Sequence, residues 1–216
     1  MTQDSQLQEA VLAEFHWEPS VTAAHIGVTA KDGVVTLTGH VPSYIEKSAT
    51  ERAAARVRGV RAVAQEITVE LPVHTRRSDE DIARAALDRI AWEGSLPADA
   101  IKVKVEEGWV TLSGEVPWNY QRFDAEQVIH GLHGVVNVSN KITIAPTVNA
   151  GEIDRDIGRA LKRGWLDEST IRVSAVDGQV TLHGTVHTPA EKWIAASTAW
   201  GALGTKAVVN DLVVAG

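Results

Sequence analysis

The 216-residue chain, 44% hydrophobic and 23% charged, has an ordinary globular composition. Its net charge of −7 excludes a general nucleic-acid binder, and the lack of cysteine removes disulfides, thiolate nucleophiles and cysteine-ligated metals together. No apolar run approaches the roughly 18 residues that span a bilayer. The polar, acidic start MTQDSQLQEAVLAEFHWE lacks a basic stretch leading into an apolar core, so a cytoplasmic location is expected, periplasmic only if an export signal was removed.

The first predicted element is a helix with Leu7, Val11 and Phe15 on one face. A hairpin follows, in which Ile26, Val28 and Ala30 alternate with polar residues and the turn KDGV places Gly33 where positive φ is needed. Its second strand, VTLTGHV at 35–41, points Val35, Leu37 and Val41 one way and Thr36, Thr38 and His40 the other. Gly39, within the inward set, is expected to let a helix approach closely. A second helix is predicted from about Ser43 to Arg58, with small residues Ala49, Ala53 and Ala54 toward the sheet and Gly59 as its C-terminal glycine. A strand from Val63 to Val69 closes the unit.

The pattern then begins again. Ser78, followed by Asp79, Glu80 and Asp81, reads as a helix N-cap with acids in the first turn. Ile82, Ala86 and Ile90 form the helical stripe, Ile101, Val103 and Val105 the first strand, and VTLSGEV at 110–116 the second. In the third unit the corresponding residues are Ile153, Ile157 and Leu161, then Ile171, Val173 and Ala175, then VTLHGTV at 180–186. The closing strands run from Val138 to Ile144 and from Val208 to Val214.

Gly33, Gly108 and Gly178 stand 75 and 70 residues apart; Gly39, Gly114 and Gly184 follow six residues later, and Gly59, Gly134 and Gly204 twenty after those. Nine glycines in one register mark a triplication. The predicted fold is α+β: three tandem αββαβ units at 1–72, 73–147 and 148–216, joined by the tethers LPVHTRRSD and APTVNAG. Each holds a three-stranded mixed sheet, because a helix between the last two strands lets them run parallel, with both helices on one sheet face.

Gln65, Asn140 and Asn210 fall by alternation on the apolar side of the closing strands. A buried amide without partners costs about 1–3 kcal/mol, so each is expected to be partly buried and bonded to backbone in its own unit. Seven tryptophans against two tyrosines and two phenylalanines point to a working surface. Trp17 and Trp92, at matching helix ends, are assigned to packing. Trp193 and Trp200 share one face of a predicted helix and are replaced by Ser48 and Ala55 or by Phe123 and His130 in the sister units. Trp118 and Arg122 lie near the start of the second unit's second helix. These four residues are the candidate partner- or lipid-binding set, the competing reading being contact between units of the same chain.

The pairs His130/His133 and His183/His187 have no acidic third ligand suggested by sequence, and no P-loop, dinucleotide glycine pattern or nucleophile elbow is present. No metal, cofactor or catalytic residue is therefore expected. Two basic clusters, Arg52/Arg56/Arg58/Arg61 and Arg155/Arg159/Lys162/Arg163, could meet phosphate, or could simply be solvated helix faces.

The V-T-L-x-G-x-V strand, the glycine twenty residues on and the closing strand, in three registered copies, resemble the BON domain (bacterial OsmY and nodulation) over nearly the whole chain. The resemblance implies a non-enzymatic module of envelope and osmotic-stress proteins, associated with phospholipid contact, chaperone-like assistance or potassium sensing. The expected function is a stress-associated binding protein for protein or phospholipid surfaces, multiplied by avidity across three units. The alternative is a soluble sensor holding an ion such as potassium, or a small molecule, between domains. A second copy of the chain is a further partner, as a homo-oligomer.

Overall fold

Apolar spacing, capping residues and turn chemistry act together in each copy of the repeat. The computed structural model describes residues 2–145, 150–163 and 170–214; the expected boundary at 147/148, and most of the second tether, lie outside them. In the first repeat helix α1 spans Gln3–Trp17, strands β1 and β2 span Ile26–Lys31 and Val34–Val41, helix α2 spans Tyr44–Ala55 and strand β3 spans Ala62–Val69. The second comprises α3 (Asp79–Trp92), β4 (Ile101–Glu106), β5 (Trp109–Val116), α4 (Asn119–His130) and β6 (Asn137–Ile144). The third comprises α5 (Ala150–Arg163), β7 (Ile171–Val176), β8 (Gln179–Val186), α6 (Pro189–Trp200) and β9 (Ala207–Val214).

Each repeat builds its own three-stranded sheet, in the order β1-β2-β3, β4-β5-β6 and β7-β8-β9. In the first and third repeats the opening pair is antiparallel and the closing pair parallel, with Ile26 opposite Gly39 and Leu37 opposite Gln65. By proximity the chain forms two compact units, Met1–Arg89 with Val103–Thr111 and Gln127–Ser139, and Ile90–Lys102 with Leu112–Glu126 and Asn140–Gly216, so the second repeat contributes to both.

The helical stripes are buried as their spacing requires. Leu7, Val11 and Phe15 of α1 and Ala49, Ala53 and Ala54 of α2 meet Val35, Leu37, Val41 and Ile67 in one core, which places both helices on the same sheet face. Ile153, Ile157 and Leu161 with Ala195 and Ala199 do the same over Val180, Leu182 and Leu212. Burying each large aliphatic contributes about 1.5–3 kcal/mol. A repeat of this size has few such residues, so its polar fixings matter more than in a large domain.

Three fixings are prominent. At the hairpin tips Asp32 and Gly33 both have positive φ, as do Glu107 with Gly108 and Asp177 with Gly178, the pattern of a turn whose twist matches its strands. The carboxylate of Asp4 accepts from the Asp32 N–H at 3.0 Å, and that of Asp79 from Glu107 and Gly108 at 2.8 and 2.9 Å. The tips of the first two repeats are thereby tied to the first turn of the preceding helix. The third fixing is the closing-strand amide. Asn140 Nδ2 donates to the Arg122 carbonyl at 2.7 Å and to the Glu126 carboxylate, while Asn140 Oδ1 accepts from Ile142 N–H at 3.1 Å. Asn210 joins the Lys192 carbonyl and Leu212 N–H in the same way, and Gln65 joins the Lys47 carbonyl and Ile67 N–H. The amide thus clasps the second helix to the closing strand. It also occupies a backbone N–H on an edge strand, where an unpaired group would invite another chain.

Two glycine roles differ from expectation. A Cβ on Gly39 would lie 2.0 Å from the His25 carbonyl oxygen, so the close neighbour is the end of the 3-10 turn Ala23–His25 that enters β1, not the second helix. Gly114 and Gly184 meet the Ala100 and Thr170 carbonyls at 2.0 and 1.9 Å, all with positive φ. Nor is Gly59 a helix C-cap: α2 ends at Ala55 with Arg56 as its cap, short of the predicted Arg58, and Gly59 stands beyond, with φ of 100°. There the chain passes against the first helix; a Cβ on Gly59 would touch Leu7, and one on Gly134 would meet Ile82 at 2.8 Å.

Candidate functional site

The second helix of each repeat turns a buried face toward its sheet, built on Thr50 and Ala54, on Ala125 and Ile129, and on Ala195 and Ala199, and shows a different outer face. In α6, Ala195 and Ala199 are fully buried while Trp193 is 71% exposed. Ile194, next in the helix, and Leu203, beyond its end, are also exposed, and Trp200, the last residue of the helix, is half-buried. Trp193 is two residues from Ala195, about 200° around the helix, so burial of the alanine turns the indole outward.

In α4 the aromatic residues gather at the start. Trp118, half-buried, lies 6.4 Å from Tyr120 between ring centroids, and the Arg122 guanidinium sits 5.9 Å over the Phe123 ring. Tyr120 and Phe123 are about half exposed. Gln121 locks this turn in place: its carbonyl oxygen accepts from Trp118 N–H at 3.2 Å and its amide donates to the Ser95 carbonyl at 2.8 Å. Trp118 and Arg122 thus stand one helical turn apart at the N-terminal end of α4, each with its own aromatic neighbour, and the cation covers the Phe123 face.

The packing role assigned to Trp17 and Trp92 is corrected here. They are 82% and 89% exposed at the last residues of α1 and α3. Each follows the final buried residue of its stripe, Phe15 or Ile90, by two positions, again about 200° around the helix. Angular position was the available signal; matching sequence position in two repeats concealed it.

The basic cluster of the first repeat is partly spent within the fold. Arg52 donates to Ser48 at 2.9 Å, and Arg56 reaches from the end of α2 to Glu14 on α1 and to its C-cap Glu18, at 2.6 Å from Glu18. Hydrogen bonding from Arg56, with further help from Ser20, holds the Glu18 carboxyl down at about 2. Arg58 and Arg61 line a cavity of about 520 Å³ with Asp4, Asp32, Gly33 and Gly59. A cavity of equal volume, lined by Val69, Glu70 and Leu71 from the end of the first repeat as well, brings Arg76 and Arg77 to the corresponding Asp79, Glu107, Gly108 and Gly134. Both mix cations with acids at the tip of a hairpin.

Of the sequence histidine pairs, His183 lies 3.6 Å from Asp211. Among the described residues no group of three or more histidine, aspartate or glutamate side chains is arranged to hold a metal, and no helix is long and apolar enough to cross a membrane.

The repeated sheet, the two-helix layer and the glycine frame coincide with a known pattern: the BON domain matches residues 3–70, 78–146 and 149–216. The chain belongs to the BON domain family. A curated relative is the Osmotically-inducible protein Y of Escherichia coli (strain K12), 32% identical over 124 residues, covering 52% of this chain and 60% of that protein. The match thus spans less than two thirds of the relative. Among solved structures, CdsD, a structural protein of the Type III secretion system of Chlamydia trachomatis, is 15% identical over 97% of this chain and 92% of that one, with a TM-score of 0.29. The CdsD C-terminal domain is 16% identical over the whole of both chains, with a TM-score of 0.28. Within the BON repeats, Trp118, Trp193 and Trp200 stand at positions where sister repeats differ, whereas Trp17 and Trp92 coincide and the glycines and amides agree in all three.

Proposed function

We propose that this chain is a non-enzymatic binding protein of the osmotic-stress response, presenting aromatic side chains on its BON repeats to phospholipid or protein partners. The observation that carries this reading is Trp193, 71% exposed on a helix whose buried face is complete without it. Sister repeats fold with Ser48 or Phe123 at that position. An aromatic side chain held out in water by a rigid helix is a large apolar surface available at little ordering cost, which is what an interface anchor requires. Arg122, stacked on Phe123 beside Trp118, adds a cation to a second aromatic group, suited to a phosphate headgroup or an acidic protein surface. The osmotic induction in the relative's name supports the stress context.

The test is co-sedimentation of the full chain with phosphatidylglycerol vesicles, alongside phosphatidylcholine vesicles and self-association by sedimentation velocity, for the chain and its Trp193→Ala/Trp200→Ala variant. Partner binding or self-association should weaken while melting of repeats one and two stays nearly unchanged. If the third repeat unfolds instead, the tryptophans are core residues and the working surface lies at Trp118 and Arg122.

A second reading, a soluble sensor for an ion or small molecule, is favoured by the recurrence of one mixed-charge cavity in repeats one and two. It requires that potassium chloride raise the melting temperature above that in sodium chloride at equal ionic strength.

A further inference from the structure

His25 and His40 are 15 positions apart in sequence and adjacent in space. Ile26 pairs with Gly39 across the antiparallel strands β1 and β2, so the next residues outward on each strand, His25 and His40, face each other at the end of the ladder. Their rings stack with centroids 4.8 Å apart and planes 20° from parallel. Both side chains are solvent-exposed.

Two other histidines are engaged by the fold: His16 Nδ1 lies 2.7 Å from the Leu12 carbonyl, and His183 faces Asp211. Among the described residues, the rings of His25 and His40 have no hydrogen-bond or ion-pair partner, only each other. The fold does not require imidazoles here. The equivalent pairs are Ala100 with Glu115 and Thr170 with Thr185, and in the third repeat Thr185 N–H still donates to the Thr170 carbonyl at 3.1 Å. The backbone geometry is therefore retained without histidine.

We propose that His25 and His40 form a surface chelate for a borderline divalent transition ion such as Zn²⁺, Ni²⁺ or Cu²⁺. Imidazole nitrogen is the ligand these ions favour over the hard cations Mg²⁺ and Ca²⁺. Two exposed rings on adjacent backbones need only rotate about their side-chain torsions to turn one nitrogen each toward a shared ion, at about 2.0–2.1 Å per bond. The strands supply the spacing and hold it rigid, which lowers the ordering cost of chelation. Two protein ligands leave the remaining coordination positions to water, so the site is an exchangeable surface site and not a closed structural one.

The experiment is isothermal titration of the full chain with NiCl₂ and with ZnCl₂, repeated for His25→Ala and His40→Thr, which carry sister-repeat residues and keep the fold, and for His183→Gln as a control. One ion per chain should bind in the micromolar range. Either of the first two substitutions should weaken binding at least about tenfold, a difference of 1.4 kcal/mol, and the control should not change it. Titration of the His25 and His40 ring resonances by Zn²⁺ should move both together. Binding no tighter than millimolar, or micromolar binding that survives the His25→Ala/His40→Thr double substitution, overturns the proposal.

Discussion

Repeats one and three share a backbone and differ in what they show to solvent. Both carry a positive-φ glycine beneath the carbonyl that enters the first strand, and both carry an amide clasp between the second helix and the closing strand. Outside that frame they diverge. Repeat one binds α2 to α1 through Arg56 with Glu14 and Glu18, and closes β3 with Thr68, whose hydroxyl donates to the Gly39 carbonyl at 3.2 Å. Repeat three puts Trp193 on the helix and Val213, 63% exposed, at the strand position of Thr68. Repeat two, with Thr143 donating to the Gly114 carbonyl, follows repeat one in the strand and repeat three in its aromatic helix. Positions that close the backbone are held in common, and those that face water are free to specialise.

The largest effect should come from attacking the shared frame. Gly39→Ala forces a Cβ to within 2.0 Å of a carbonyl oxygen at a φ of +112°, and neither backbone can yield cheaply. A loss of about 3 kcal/mol or more is expected, read as selective loss of amide-exchange protection in repeat one. Gly94→Ala, where nothing lies within 4 Å, should be nearly neutral. Equal effects at the two sites would show that the frame is not what holds the repeat.

The amide clasp ranks next. Asn140→Leu removes both bonds from Nδ2 and leaves the Ile142 N–H without its side-chain acceptor, which should cost about 1–3 kcal/mol in chemical denaturation. Gln65→Leu should cost less, because its bonds are longer, at 3.5 and 3.3 Å. The reverse order would mean that the amides act elsewhere than in the clasp.

Converting the third repeat toward the first gives a smaller gain. Val213→Thr should recover the hydroxyl bond to the Gly184 carbonyl that Thr68 and Thr143 make in their own repeats, raising stability by about 0.5–1 kcal/mol. A loss instead would identify the exposed valine as packed against a partner.

The smallest effect should be the acid response that separates repeat one from the others. Glu18 ordinarily titrates at 4.5 and is held at about 2 in the fold, so the unfolded chain takes up its proton first as pH falls. The stabilisation is fully present above 4.5 and disappears as pH drops through about 2. Solvent screening keeps it modest. Arg56→Met should flatten the pH dependence of repeat-one melting across that window; an unchanged profile would assign the acid sensitivity to other carboxylates.

Sequence by itself determined the repeat, the element order, the mixed sheets and the core stripes. Apolar periodicity, turn glycines and caps are local signals, and three registered copies multiplied them. Alternation also placed Gln65, Asn140 and Asn210 on the inner side, because side-chain direction in a strand has a period of two residues. Tertiary structure decided what those positions meet. That Gly39 lies under the His25 carbonyl, that Trp17 and Trp92 stand in solvent, and that His25 stacks on His40 all depend on strand register and helix rotation. Those quantities are set by packing between segments distant in sequence, and spacing along a single segment does not contain them.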